Sequence, residues 1–165
     1  MKIKIKKLNK EAKIPFKSHD SDFCYDVVAV SEEEVAPNVW KYGLGFALEI
    51  ERTKVLIGIS HIQKKARFIP DWVYNQVNLS IDFRPRSSVY KTGMVLCNSC
   101  GTIDESYRGE VCAYFYHVMP NMPRYKVGDK IGQIKLGATL PLEFEEVDEL
   151  SDTERGTGGF GSTGK

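Results

Sequence analysis

The run Asp104-Glu105-Ser106-Tyr107-Arg108-Gly109 gathers a carboxylate, a phenol ring and a guanidinium within six residues. A carboxylate in such company can take a proton from water while its neighbours hold a reactant, although the same run also makes an ordinary Asp-Glu turn. Upstream, Arg84-Pro85-Arg86-Ser87-Ser88 sets guanidinium forks beside adjacent hydroxyls. These are directed donors for phosphate oxygens, and equally a basic turn capped by serines. Gly128-Asp129-Lys130-Ile131-Gly132-Gln133 reads as a hairpin turn entering a strand. Near the front, Ser21-Asp22-Phe23-Cys24-Tyr25-Asp26 offers carboxylates suited to a hard cation. Cys97 and Cys100 form a Cys-x-x-Cys pair, but His19, His61 and His117 are too scattered to complete a zinc site.

The last eleven residues are Arg155-Gly156-Thr157-Gly158-Gly159-Phe160-Gly161-Ser162-Thr163-Gly164-Lys165. Their composition suits a solvated glycine-rich tail. It suits a lid as well: glycines let backbone N–H groups turn toward an anion, Arg, Ser and Thr add donors, and Phe160 offers a face for a ring to stack on. Phosphate donors together with a stacking ring point to a nucleotide.

The elements that must position these groups are mostly strands. Residues 2–6 alternate Lys and Ile, the period of a half-buried strand. Strand-like runs follow at 25–30, 45–51, 54–59, 77–83, 111–118 and 130–136, with Gly, Pro, Asn or Asp in most gaps. One short helix is a candidate at 71–77. Many short strands argue for a sandwich or a closed barrel. At 165 residues the chain forms one domain with a real core, and a net charge of +1 gives no field for polynucleotide or membrane binding. No apolar run reaches membrane-span length and no signal-peptide pattern opens the chain, so a reducing, cytoplasmic setting with free thiols is expected. Residues 1–142 form the β domain, and 143–165 an acidic linker with the glycine-rich tail.

In this order, the segments around Asp26, Arg86, Asp104, Gln133 and the tail resemble the motif set of the trimeric deoxyuridine triphosphatases (dUTP diphosphatases). The likeness runs from about Asp22 to the end, and the Asp104–Gly109 and Arg155–Gly164 segments are its most specific parts. It implies an all-β, jelly-roll-like barrel assembled as a homotrimer, with active sites shared between subunits and a flexible C-terminal lid. It further implies hydrolysis of dUTP to dUMP and pyrophosphate, assisted by Mg²⁺, which limits uracil in DNA and supplies dUMP for dTTP synthesis. By residue, Asp104 matches the base that activates water against the α-phosphorus. Tyr107 matches the ring that packs on deoxyribose. Asn98, with Gly101 in the same hairpin, matches the uracil reader. Arg86, Ser87, Ser88 and Gln133 match phosphate contacts, and Asp26 matches an acid that helps hold Mg²⁺ through water. Phe160 would stack on uracil beside Gly161, while Arg155, Ser162 and Thr163 close over the terminal phosphates.

Two departures bear on this resemblance. Ser88 stands where the family usually has glycine, a pattern closer to the dCTP deaminases that share the fold. Those enzymes need a glutamate five residues past the third-motif glycine, a position held here by Tyr114. Cys24 likewise replaces a first-motif glycine. The stretch 51–79 reads as an insertion in which Arg52, Lys54, Lys64, Lys65 and Arg67 interleave with Phe68, Trp72 and Tyr74. This pattern fits a decorated surface hairpin better than a nucleic-acid or protein contact. A binding or regulatory protein on this scaffold would be free to lose Asp104, Tyr107 or Phe160, yet all three are present.

Overall fold

The computed structural model describes residues 1–52 and 77–159. Ten strands and one 3₁₀ turn fill them: β1 (Lys2–Lys7), β2 (Tyr25–Val28), β3 (Ser31–Ala36), β4 (Val39–Gly43), β5 (Phe46–Glu51), β6 (Asn78–Pro85), the 3₁₀ turn Ser87–Lys91, β7 (Met94–Leu96), β8 (Gly101–Asp104), β9 (Cys112–His117) and β10 (Lys130–Thr139). The chain is all-β, as expected. The strand and the helix read at 54–59 and 71–77 lie outside the described residues, save for Val77.

Two four-stranded antiparallel sheets, ordered β2-β10-β6-β8 and β3-β4-β9-β7, are joined by a β1-β5 ribbon. The alternation that marks residues 2–6 places Ile3 and Ile5 against the core while the lysines face out. Between the sheets sit Tyr42 of β4, Phe83 of β6 and Phe115 of β9, all fully buried. Phe115 meets Tyr42, Phe83 and Tyr125 edge-on at centroid distances of 5.9, 6.3 and 5.3 Å. Each such ring contributes roughly 1.5–3 kcal/mol through burial, and together they fix the two sheets face to face.

The β3-β4 hairpin escapes a hydrophobic reading because β3 is Ser-Glu-Glu-Glu-Val-Ala and almost wholly exposed. An edge strand needs no apolar face, and its charges discourage pairing with another chain. The signal that does mark it is the Pro37-Asn38 turn. Asn38 adopts φ +61°, and its N–H donates to Glu34 Oε1 at 2.9 Å.

Strand β10 does the most to bring distant side chains together. It pairs with β2 on one side and β6 on the other, with a bulge between Lys130 and Gly132. A side chain at Gly132 would run into the Phe83 ring, so the strands close here only over glycine. The resulting register sets Gln133 opposite both Asp26 and Arg84. Among the described residues no helix is long and apolar enough to cross a membrane.

Candidate active site in two halves

Asp26 is the one buried charged residue among those described, 4% exposed. An isolated carboxylate there would be costly, and four donors answer it. On Oδ2, Lys130 Nζ donates at 2.9 Å and Ser18 Oγ at 3.2 Å. On Oδ1, Gln133 Nε2 donates at 3.1 Å, and Arg86 Nε lies at 3.4 Å. Arg86 comes from the extended residue that precedes the 3₁₀ turn, whose first residues are Ser87 and Ser88. Thus the predicted Asp26, Arg86 and Gln133 meet in one cluster with the two serines beside it. Lys130 and Ser18 complete it and were not singled out in the sequence. Lys130 lay within a marked segment, but only the bulge turns it toward Asp26.

Burial pushes the Asp26 carboxyl up, but hydrogen bonds from Lys130 and Gln133 and the charge of Arg86 outweigh this and hold it below its ordinary value. A depressed carboxyl stabilises the fold above its unfolded pKa of about 4, and that contribution disappears as pH falls through the folded value. In urea titrations the native chain should therefore lose stability more steeply than Asp26→Asn as pH drops from about 4 toward 2. Equal pH dependence of the two would take the cluster out of the folding balance.

A carboxylate has about four acceptor positions; three here accept hydrogen bonds from Lys130, Ser18 and Gln133, and Arg86 adds an ion pair. Among the described residues no three His, Cys, Asp or Glu side chains gather as a metal site. With two cations at hand, Asp26 does not suit a resident divalent ion; its charge organises Arg86, Lys130 and Gln133.

The second half lies on β8 and the turn after it. Asp104 ends the strand, exposed, and Tyr107 N–H donates to its backbone carbonyl at 3.0 Å. Tyr107 O–H donates to the Glu110 carbonyl at 3.1 Å, which swings the ring back over Gly109. A cleft of about 340 Å³ opens beside these groups, lined by Lys41, Thr102, Ile103, Asp104, Tyr107 and Tyr114 among others. Tyr114 therefore faces the same space as Asp104. Asn98 and Gly101 lie at the other end of β8, Asn98 exposed in the turn that leads from β7 and Gly101 opposite Phe83. A larger groove of about 380 Å³ is lined mainly by Ile3, Ile5, Ile14, Ile81 and Ile134, with Lys135 and Tyr25 among its polar groups and no carboxylate.

Sheet register separates the halves. Asp104 pairs with Ser80, whereas Gln133 pairs with Arg84, four residues further along β6. Asp26 lies three strands across from β8. At about 3.3 Å per residue and 4.8 Å per strand, the Cα atoms of Asp26 and Asp104 are roughly 20 Å apart. Within one chain the acid and the Arg86 cluster therefore stand well apart. Arg155, on an exposed turn, donates from Nε to the Gly158 carbonyl at 2.8 Å; Phe160, Gly161, Ser162 and Thr163 lie outside the described residues.

The profile of the dUTPase family matches residues 81–164. The deoxyuridine 5'-triphosphate nucleotidohydrolase of Nautilia profundicola is 35% identical over 167 residues, covering 100% of both chains. That of Clostridium kluyveri is 37% identical, covering 99% of each. The chain belongs to the dUTPase family. Among solved structures it resembles the dUTPase of Staphylococcus bacteriophage 80alpha with dUPNHPP, at TM-score 0.72, 20% identity and 99% coverage of both chains. The phage phi11 dUTPase, known with a species-specific insert, aligns at TM-score 0.63 and 16% identity over 93% of this chain and 100% of that one. A mutant form of that phi11 dUTPase coordinates a structural Mg(II) ion. Asp104, Tyr107 and Gln133 all fall inside the dUTPase profile, whereas Asp26 precedes it.

Proposed function

We propose that this chain hydrolyses dUTP to dUMP and pyrophosphate, taking Mg·dUTP as its substrate. The observation that carries the reading is the division of the site. One half is built of phosphate donors, the other of an accessible carboxylate beside a ring and a cleft, in a chain of the dUTPase family. The halves are useful only when joined, and a cyclic homotrimer joins one chain's Arg86 cluster to the next chain's Asp104.

Asp104 takes a proton from a water whose oxygen bonds to the α-phosphorus. The bond from that phosphorus to the bridging oxygen breaks, and pyrophosphate leaves with the electron pair. Such a transfer needs alignment and charge stabilisation more than covalent chemistry. Arg86, Ser87, Ser88 and Gln133 supply donors to the phosphates, with Asp26 keeping Arg86 and Gln133 in place. Magnesium commonly takes its oxygens from phosphates and water, which accords with its arrival on the nucleotide. Tyr107 closes the space a 2′-hydroxyl would need, and Asn98 with the Gly101 backbone reads the uracil edge. Phe160 stacks on the base beside Gly161, and Arg155, Ser162 and Thr163 close over the phosphates, so the 155–165 tail serves as the lid. The product supplies dUMP for dTTP synthesis while keeping uracil out of DNA. Deamination of dCTP is disfavoured because Tyr114 lines the cleft where a proton-shuttling carboxylate is required.

The test is to offer dUTP, dCTP, dTTP and UTP in parallel with Mg²⁺ and follow nucleotide and pyrophosphate. Pyrophosphate and dUMP from dUTP alone support base and sugar selection together. Loss of ammonia from dCTP, or no turnover from folded protein, would overturn the proposal.

A further inference from the structure

Among the described residues strand β8 is an edge strand, hydrogen-bonded only to β6, and Asp104 is its last residue. Backbone pairing therefore holds the acid from one side alone, at the point where a strand frays most readily. A side chain from a different sheet meets the turn. Arg52 follows directly on β5, which pairs with β1, and reaches across to Glu105, the neighbour of Asp104. The contact is a fork: Nε donates to Oε1 at 2.7 Å and Nη2 to Oε2 at 2.5 Å. The two side chains are 29% and 30% exposed, unlike the loose ion pairs of a protein surface. Two parallel bonds fix direction as well as distance. Arg108 braces the same turn from within, donating from Nη1 to the carbonyls of Glu105 at 2.6 Å and Tyr107 at 3.0 Å. The Glu105 carboxyl is held below its ordinary value, first by the Arg52 hydrogen bond, so the pair stays ionised near neutrality.

We infer that Arg52 is a positioning residue for hydrolysis, its fork to Glu105 fixing the direction in which Asp104 presents its carboxylate. The inference rests on Asp104 being the base. Misplacing a base by about 1 Å costs on the order of 100-fold in rate, while substrate binding, which uses other groups, is little changed. An ion pair with a merely structural role would instead lower thermal stability and leave the rate per folded chain alone.

The experiment compares wild type, Arg52→Met, Glu105→Gln, the exchange pair Arg52→Glu with Glu105→Arg, and Asp104→Asn. For each, kcat and KM for dUTP and the thermal midpoint are measured. Each single change at 52 or 105 should lower kcat by about 10- to 100-fold with KM within about twofold. The exchange pair should recover most of that loss. Wild-type kcat in Arg52→Met, a loss that appears in KM alone, or a loss that follows the thermal midpoint without recovery in the exchange pair overturns the inference. If Asp104→Asn is inactive while Arg52→Met is fully active, the base reading stands and this inference falls. If Asp104→Asn is active, both fall.

Discussion

Asp104→Asn is expected to slow dUTP hydrolysis by about 100- to 10,000-fold, the usual contribution of a general base. The amide is nearly isosteric with the carboxylate but cannot accept the water's proton. The fold should not notice the change. Asp104 is exposed, and the hydrogen bond that shapes its turn comes from Tyr107 N–H to the backbone carbonyl, not to the side chain. Calorimetric titration with dUTP should therefore give an affinity close to wild type while pyrophosphate release nearly stops. A variant that binds and still turns over at the wild-type rate would remove Asp104 from the proton transfer.

Deleting residues 155–165 should cost about 100-fold or more in kcat/KM, because the proposed lid would supply phosphate donors and exclude water at once. The described beginning of this segment makes mainly local contacts. Gly156 N–H donates to the Thr153 carbonyl at 3.0 Å, and Gly158 N–H to the Arg155 carbonyl at 3.0 Å. Nothing there supports the core, so the truncated chain should melt and assemble as the full one does. Unchanged kinetics after truncation would make the tail a solvated appendage.

What was legible in the sequence had a local signature. The alternation of residues 2–6, the Asp104–Gly109 run and the Arg86-Ser87-Ser88 turn each declare themselves within a few positions. The family resemblance placed the chain in the dUTPase family, since the order of such runs along the chain carries information that no single one does. What was not legible is pairing at long range. Ser18 and Lys130 meet Asp26 across 8 and 104 positions, and Arg52 meets Glu105 across 53. The tertiary fold brings them together, in the case of Lys130 through the bulge in β10. The acidic β3 was missed for the opposite reason: exposed on both faces at a sheet edge, it has no hydrophobic period to read. Asp26, expected to help hold an ion through water, lies among three hydrogen-bond donors and the Arg86 cation, and no count of nearby carboxylates could reveal those neighbours.

The register that sets Asp104 opposite Ser80 and Gln133 opposite Arg84 should, in the proposed trimer, let two broken genes repair one another. Arg86→Ala spoils the phosphate half and Asp104→Asn the acid half, so each protein alone should be inert. Co-refolded in equal amounts, they should form mixed rings in which an intact cluster from one allele faces an intact acid from the other. Random mixing of threefold rings restores about one site in four. A site contained within one chain would gain nothing from the mixture.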